Sequence, residues 1–223
     1  MKRLLKSSCE FSTFLLVSTI FLFGALEILT VISPVQGIFN HTKCPAPWEL
    51  QSDTVKKNFS IKTFEGSYHE LALHDYTQFP ICPIPKCMRS HKVMNYGTNR
   101  INDTFTLNCF GSDYSFTFLF NLTNTTGFFL GRVIHFPDVI FPDTVIDVKE
   151  GPDGVYEWAI EFQCVEKLDH IWFIGINWYS RQANVTDEYY ENMINAARAR
   201  GLGYFMDSGF KVTRVDQNCT KKL

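Results

Sequence analysis

The stretch WFIGINWYSRQANVTDEYY, residues 172–190, joins a segment suited to a protein interior to one suited to a helix. Trp172 to Tyr179 is apolar and aromatic; Ser180-Arg181 and a polar turn follow. Thr186 is placed to cap a helix, and Asp187 and Glu188 suit the positive end of its dipole. Tyr189, Met193 and Ala197 recur at four-residue spacing, with Tyr190 and Ile194 beside them, which makes one apolar stripe. Arg198 and Arg200 suit the C-terminal end, and Gly201 can adopt the left-handed exit conformation. The expectation is one helix over about residues 187–200, with its stripe against the outside of a sheet. Arg181, at the end of a buried strand, then needs a partner.

Upstream, strand signals follow one another: GSYHELALH, KVMNY, DTFTLNCF, YSFTFLFNL, GFFLGRVIHF, DTVIDV and VYEWAIEFQC. Turn-forming stretches separate them, among them GTNRIN, GSD, TNTTG, FPDVIFPD, GPDG and EKLD. That rhythm fits an antiparallel meander, closed as a barrel or folded as a sandwich. In YSFTFLFNL, Phe116, Phe118 and Phe120 share one face. In VYEWAIEFQC, Tyr156, Trp158, Ile160 and Phe162 share one face, opposite Val155, Glu157, Ala159 and Glu161. Taking the aromatic faces as inward makes Phe105, Phe116, Phe118, Phe120, Tyr156, Trp158, Phe162 and Trp178 the candidate lining. A shift of one residue would reverse every face.

The N-terminus has a basic head, MKRLLK, and a mostly apolar run over residues 11–32, then SPVQG. That order reads as a secretory signal over residues 1–37, cleaved after Gly37 and leaving a single domain over 38–223. An uncleaved anchor is the alternative, against which Glu27 counts. Cleavage removes Cys9 and leaves six cysteines: Cys44, Cys82, Cys87, Cys109, Cys164 and Cys219. An even number in a secreted chain points to three disulfides. N-x-S/T sequons stand at Asn40, Asn58, Asn102, Asn121, Asn124 and Asn184, with a seventh at Asn218 whose middle residue is Cys219. The remaining 18 basic and 21 acidic side chains form no basic stripe or run, which argues against nucleic-acid binding. The expected location is extracellular.

Two further features complete a pattern. CPAPWELQSDTVKKNFSIKTFEGSYHELA carries Cys44-Pro45 and then Gly66-Ser67-Tyr68-His69-Glu70; VDQNC closes the chain on Cys219. With the Ser-Arg-turn-helix stretch and the strand ending in Cys164, the chain resembles the lipocalins, most of all the apolipoprotein D branch. The resemblance runs from Cys44 to Cys219. Tyr68 replaces the tryptophan of the family's Gly-x-Trp, and Gly154-Val155 stands where Thr-Asp-Tyr is usual. Cys82 and Cys109 are additional. WFIGINWYSR and the paired cysteines are also similar to the violaxanthin de-epoxidase group of the same fold.

The resemblance implies an eight-stranded antiparallel up-and-down barrel with one C-terminal helix outside. It implies disulfides Cys44–Cys164 and Cys87–Cys219, leaving Cys82–Cys109. A hairpin centred near residue 98 sets Cys87 opposite Cys109, so Cys82–Cys219 with Cys87–Cys109 is the rival pairing. It implies a closed end formed by Gly66, Tyr68 and Arg181, with the guanidinium packed on the Tyr68 ring. The function implied is transport of a small hydrophobic ligand (a lipid, sterol, retinoid or fatty acid), with membrane or receptor contact at the barrel mouth. No catalytic motif, cofactor motif or histidine spacing for a metal is visible in the sequence. The alternative is an enzyme of the de-epoxidase type, for which Asp75 at a strand end is the candidate acid.

Overall fold

The computed structural model describes residues 43–75, 82–134, 136–208 and 211–219, with the backbone alone at 136–138. The proposed signal over residues 1–37 and the sequon at Asn40 lie outside the described residues.

Three short helical turns come first: α1 (Pro47–Leu50), α2 (Asp53–Asn58) and α3 (Ile61–Phe64). Eight strands follow: β1 (Gly66–Asp75), β2 (Lys86–Asn95), β3 (Arg100–Cys109), β4 (Ser112–Leu122), β5 (Phe128–Val133), β6 (Phe136–Glu150), β7 (Tyr156–Lys167) and β8 (His170–Ser180). Each pairs antiparallel with the next, β8 pairs with β1, and β1 pairs with β2, which closes the ring. The expected up-and-down barrel is the fold.

The helix α4 (Asp187–Ala197) begins where the sequence places it, with the Thr186 side chain accepting from the Tyr189 N–H. It runs through a wide turn at Arg198–Leu202 into α5 (Gly203–Asp207), with Gly201 at φ 88°. Its stripe residues Met193, Ile194 and Ala197 are buried. A short strand β9 (Thr213–Arg214) lies outside the ring against the upper part of β1. Beyond it, Lys86 bridges to Asp216, and the Cys87 N–H donates to the Asp216 carbonyl. The C-terminal segment therefore spans β1 and β2 where their direct pairing, Gly66–His69 with Arg89–Lys92, has ended.

The disulfides form as Cys44–Cys164, Cys82–Cys109 and Cys87–Cys219, so the rival pairing does not occur. The first ties the N-terminal segment to β7, the second ties residues before β2 to the end of β3, and the third fixes the C-terminal segment to β2.

Two expectations need correction. FPDVIFPD, read as a turn, is the first half of β6. Pro142 sits opposite Leu130 of β5, and pairing with β7 starts only at Asp143. The early part of β6 thus has a partner on one side, where a residue without an N–H is tolerated. The inward face of β7 is also reversed. Ile160 lies opposite Trp178, and Phe162 packs on Phe205 of α5 at 5.5 Å. That aromatic face lies beneath the helices, so Ala159 and Glu161 point inward.

Candidate functional site

The barrel interior is built in three layers. The floor, at the end where β2–β3, β4–β5 and β6–β7 connect, holds Tyr68, Met94, Ile101, Phe120, Phe129, Val148 and Tyr156. The helical turns α1 to α3 cap it: Val55 and Phe64 join this cluster, and Phe59 stacks on Tyr156 at 5.6 Å. Every strand of the ring contributes at least one buried side chain to it.

Arg181 seals this end from outside the cluster. Its guanidinium carbon lies 3.9 Å from the Tyr68 ring centre. It donates to the carbonyls of Tyr156 (3.1 Å), Ser67 (3.1 Å), Thr63 (3.4 Å) and Glu65 (2.5 Å), and to the Tyr68 hydroxyl (3.0 Å). One planar, always-charged fork thus joins α3, β1 and β7. Gly66 is required beside it: φ is +108°, and a Cβ there would come within 2.4 Å of Arg181 Nη1. Gly66, Tyr68 and Arg181 therefore meet in one contact. Burial pushes the Tyr68 hydroxyl pKa up, against the opposing pull of Arg181 and Lys92.

Above the floor lies a charged layer that composition does not announce. Lys92 on β2 projects inward and pairs with Asp103 of β3 (2.7 Å) and Glu161 of β7 (2.9 Å). Ser90 donates to the other Asp103 oxygen at 2.7 Å. The ammonium also lies 4.9 Å from the Tyr179 ring centre, 5.2 Å from that of Phe64 and 5.7 Å from that of Phe120. Asn177 of β8 donates to Glu70 Oε1 of β1 at 2.6 Å. Asp143 of β6 lies near Glu161. Glu70, Lys92, Asp103, Asp143 and Glu161 are all buried. Burial lowers the Lys92 pKa, but Asp103, Glu161 and Asp143 outweigh it and hold the ammonium charged. Burial raises Glu70 well above the carboxylate range, against its bond from Asn177. Burial and then Glu161 raise Asp143, with Lys92 opposing. Burial raises Glu161, again with Lys92 opposing.

Toward the opposite end, where β3–β4 and β7–β8 connect, lies an apolar layer of Leu73, Met88, Phe105 and Val215, with Leu107, Phe116 and Phe118 against it. Phe105 and Phe118 meet edge to face at 6.3 Å, and Phe141 of β6 meets Phe118 at 5.9 Å and Phe120 at 5.8 Å. Gly131 gives these rings their room: a Cβ there would lie 2.6 Å from both Phe120 and Phe141.

Of the residues expected to line the interior, Phe105, Phe116, Phe118 and Phe120 come together. Tyr156 sits at the capped floor, its hydroxyl accepting from the Ser60 N–H at 2.8 Å. Trp158, Phe162 and Trp178 are on the outer face; the Trp178 indole donates to the Met193 carbonyl of α4 at 3.2 Å. Asp75 is half-buried at the end of β1, opposite Gly175. Among the described residues, no group of three or more His, Cys, Asp or Glu side chains is arranged to hold a metal ion. No helix among them is long and apolar enough to cross a membrane.

The sequence hides the interior charges, because alternation on β7 puts Glu161 opposite the aromatic face and a charge there suits solvent equally well. The helix stripe carried the opposite signal. A helix packed on the outside of a barrel makes the outer face of the strands beneath it apolar.

Comparison with solved structures identifies this arrangement. Lobster apocrustacyanin A1 superposes with a TM-score of 0.58 at 13% identity, covering 79% of this chain and 89% of that one. The fold is that of the lipocalins. Apocrustacyanin C1 matches with the same score and identity over 80% and 90% of the two chains, and apocrustacyanin C2 over 79% and 89%. No protein-family model matches the chain, and no curated protein sequence does.

Proposed function

We propose that this lipocalin-fold protein is a secreted, glycosylated carrier of a small hydrophobic ligand such as a lipid, sterol, retinoid or fatty acid. The observation that carries the reading is the apolar cluster of Leu73, Met88, Phe105 and Val215 in the upper barrel, with Phe116 and Phe118 packed against it, above the floor that Arg181 and the helical turns cover. Apolar burial of a ligand there is favourable by about 25 cal/mol per Å². A barrel of this strand number is wide enough to hold one small ligand.

Three disulfides and the N-terminal signal pattern support secretion. Sequons Asn58, Asn124 and Asn184 are exposed, as glycan attachment requires, while Asn102 and Asn121 are half-buried. The mouth hairpins carry Phe110 and Leu168 at their tips, 81% and 85% exposed. Ile84 and Trp172 are exposed at the same end. This apolar rim supports contact with a membrane surface or receptor where ligand enters. The likeness to the apolipoprotein D branch rests on the sequence motifs, chiefly the Ser180-Arg181 turn and the Cys44–Cys164 and Cys87–Cys219 frame.

Titration of the purified protein with retinol, cholesterol and oleate, followed by quenching of intrinsic fluorescence, tests the reading. Saturable quenching by at least one, at one ligand per chain, is the expected result. Phe118→Ala should weaken it and Trp158→Ala should not. Absence of saturable quenching by all three would remove the support for a carrier.

A further inference from the structure

The charged layer has more acid than a structural ion pair needs. Four carboxyl groups, on Glu70, Asp103, Asp143 and Glu161, face one ammonium, Lys92, inside the barrel. Lys92 is shared by Asp103 and Glu161. Glu70 and Asp143 form no ion pair among the described residues, although each is buried at 0–1% exposure. Glu70 Oε2 and Asp143 Oδ1 have no hydrogen-bond partner among the described residues. A buried carboxyl oxygen left unbonded is costly, and native interiors leave few of them. Lys92 itself shows that the layer receives an ammonium, between carboxylates and over the rings of Phe64, Phe120 and Tyr179.

We propose that the ligand of this barrel is a hydrophobic amine, its ammonium received by the surplus carboxyls of Glu70 and Asp143 and its apolar body packed against Phe105, Phe116 and Phe118. The inference rests on the carrier reading and names the chemistry of its ligand. The groups that face Asp143 are Glu161 and Gln163 from β7, Lys92 from β2, Asp103 from β3 and Tyr179 from β8. Those that face Glu70 are Asn177 and Tyr179 from β8, Glu161 from β7, Lys92 from β2 and Asp75 on its own strand. Lys92 alone among these is cationic, and it is already paired. Burial raises the pKa of both surplus carboxyls, which favours their protonated form when no ligand is bound. An entering ammonium restores the advantage of the carboxylate, so a carboxyl proton leaves to solvent as the cation binds. The charge of the interior is then unchanged: one proton out, one ammonium in.

The test uses 4-phenylbutylamine and 4-phenylbutanol, which share an apolar body and differ in the head group. Calorimetric titration in two buffers of different ionisation enthalpy counts the protons exchanged. At about pH 8 the amine should bind about tenfold or more tightly than the alcohol, with release of about one proton. The preference should shrink toward about pH 5, because binding that releases a proton weakens as the proton concentration rises. Glu70→Gln with Asp143→Asn should abolish the preference and the proton release while leaving alcohol binding in place. Both replacements are uncharged and close in size to the carboxylic acids they replace, and thermal melting checks that the variant folds. Equal or tighter alcohol binding with no proton release by the native protein overturns the amine inference and leaves the carrier reading standing. Failure of either compound to bind, together with no quenching by retinol, cholesterol or oleate, overturns both.

Discussion

Removing the Arg181 side chain should destabilise the protein without changing what it binds. The guanidinium makes five hydrogen bonds at the closed end, four of them to backbone carbonyls: one each on α3, β1 and β7, and one on Glu65 between α3 and β1. Arg181 is only half-buried, so each bond is weighted at about 0.5 kcal/mol, the low end of the usual range. The contact with the Tyr68 ring contributes about 1 kcal/mol more. Arg181→Ala should therefore cost about 3–4 kcal/mol, a large share of the stability of an ordinary domain. Denaturant unfolding of the oxidised protein measures this directly. Gly66→Ala supplies an internal control. In the native background its methyl meets Arg181 Nη1 at 2.4 Å and adopts φ +108°; in the Arg181→Ala background only the backbone strain remains. The two substitutions should then cost less together than the sum of their separate effects. Unchanged stability in Arg181→Ala, or an Arg181→Ala protein of normal stability that has lost its ligand, would refute a sealing role.

Three other outcomes follow from the interior. Because the folded-state pKa values of Glu70, Asp143 and Glu161 are raised, the stability they confer is fully present below the ordinary carboxyl value and is lost as pH rises. The melting temperature of ligand-free protein should thus decline as pH rises above 4.5, the reference value for Glu, toward neutrality; a rise over that window would contradict the assignment. Lys92→Met leaves Asp103 and Glu161 buried without a cation and should cost about 3–5 kcal/mol in denaturant unfolding, with partial recovery when Asp103→Asn is added. Liposome co-sedimentation should weaken when Phe110 and Leu168 are both changed to Ser, with the melting temperature unchanged, since both side chains stand clear of the core.

The barrel was legible because strand and turn signals alternate along the chain and the helix carries its own caps and stripe. The closed end was legible through Gly66, Tyr68 and Arg181, whose contact depends on positions that local sequence marks. The lining was only half legible. Phe105, Phe116, Phe118 and Phe120 lie on strands whose outer faces are polar, so alternation gave their direction. On β7 both faces are buried, one by the helices and one by the barrel, so alternation fixed the period but not the side. Bulges compound this. A register shift on β7 between Tyr156 and Trp158 sends Tyr156 to the floor and Trp158 to the outer face, although they are two residues apart. The charged layer required contacts among β1, β2, β3, β6, β7 and β8, which no local pattern encodes. Pro142 in β6 misled for a related reason: whether proline is tolerated depends on which neighbour strand has begun to pair.

The central claim is that the barrel carries a small apolar molecule. Mass spectrometry of the protein purified from its native source, intact and then after organic extraction, tests it most directly. The account predicts one small hydrophobic molecule per chain, lost on extraction, and a weaker complement of it in Phe118→Ala. An intact mass equal to that of the glycosylated chain alone, with no apolar compound extracted and none rebound on incubation, would contradict it.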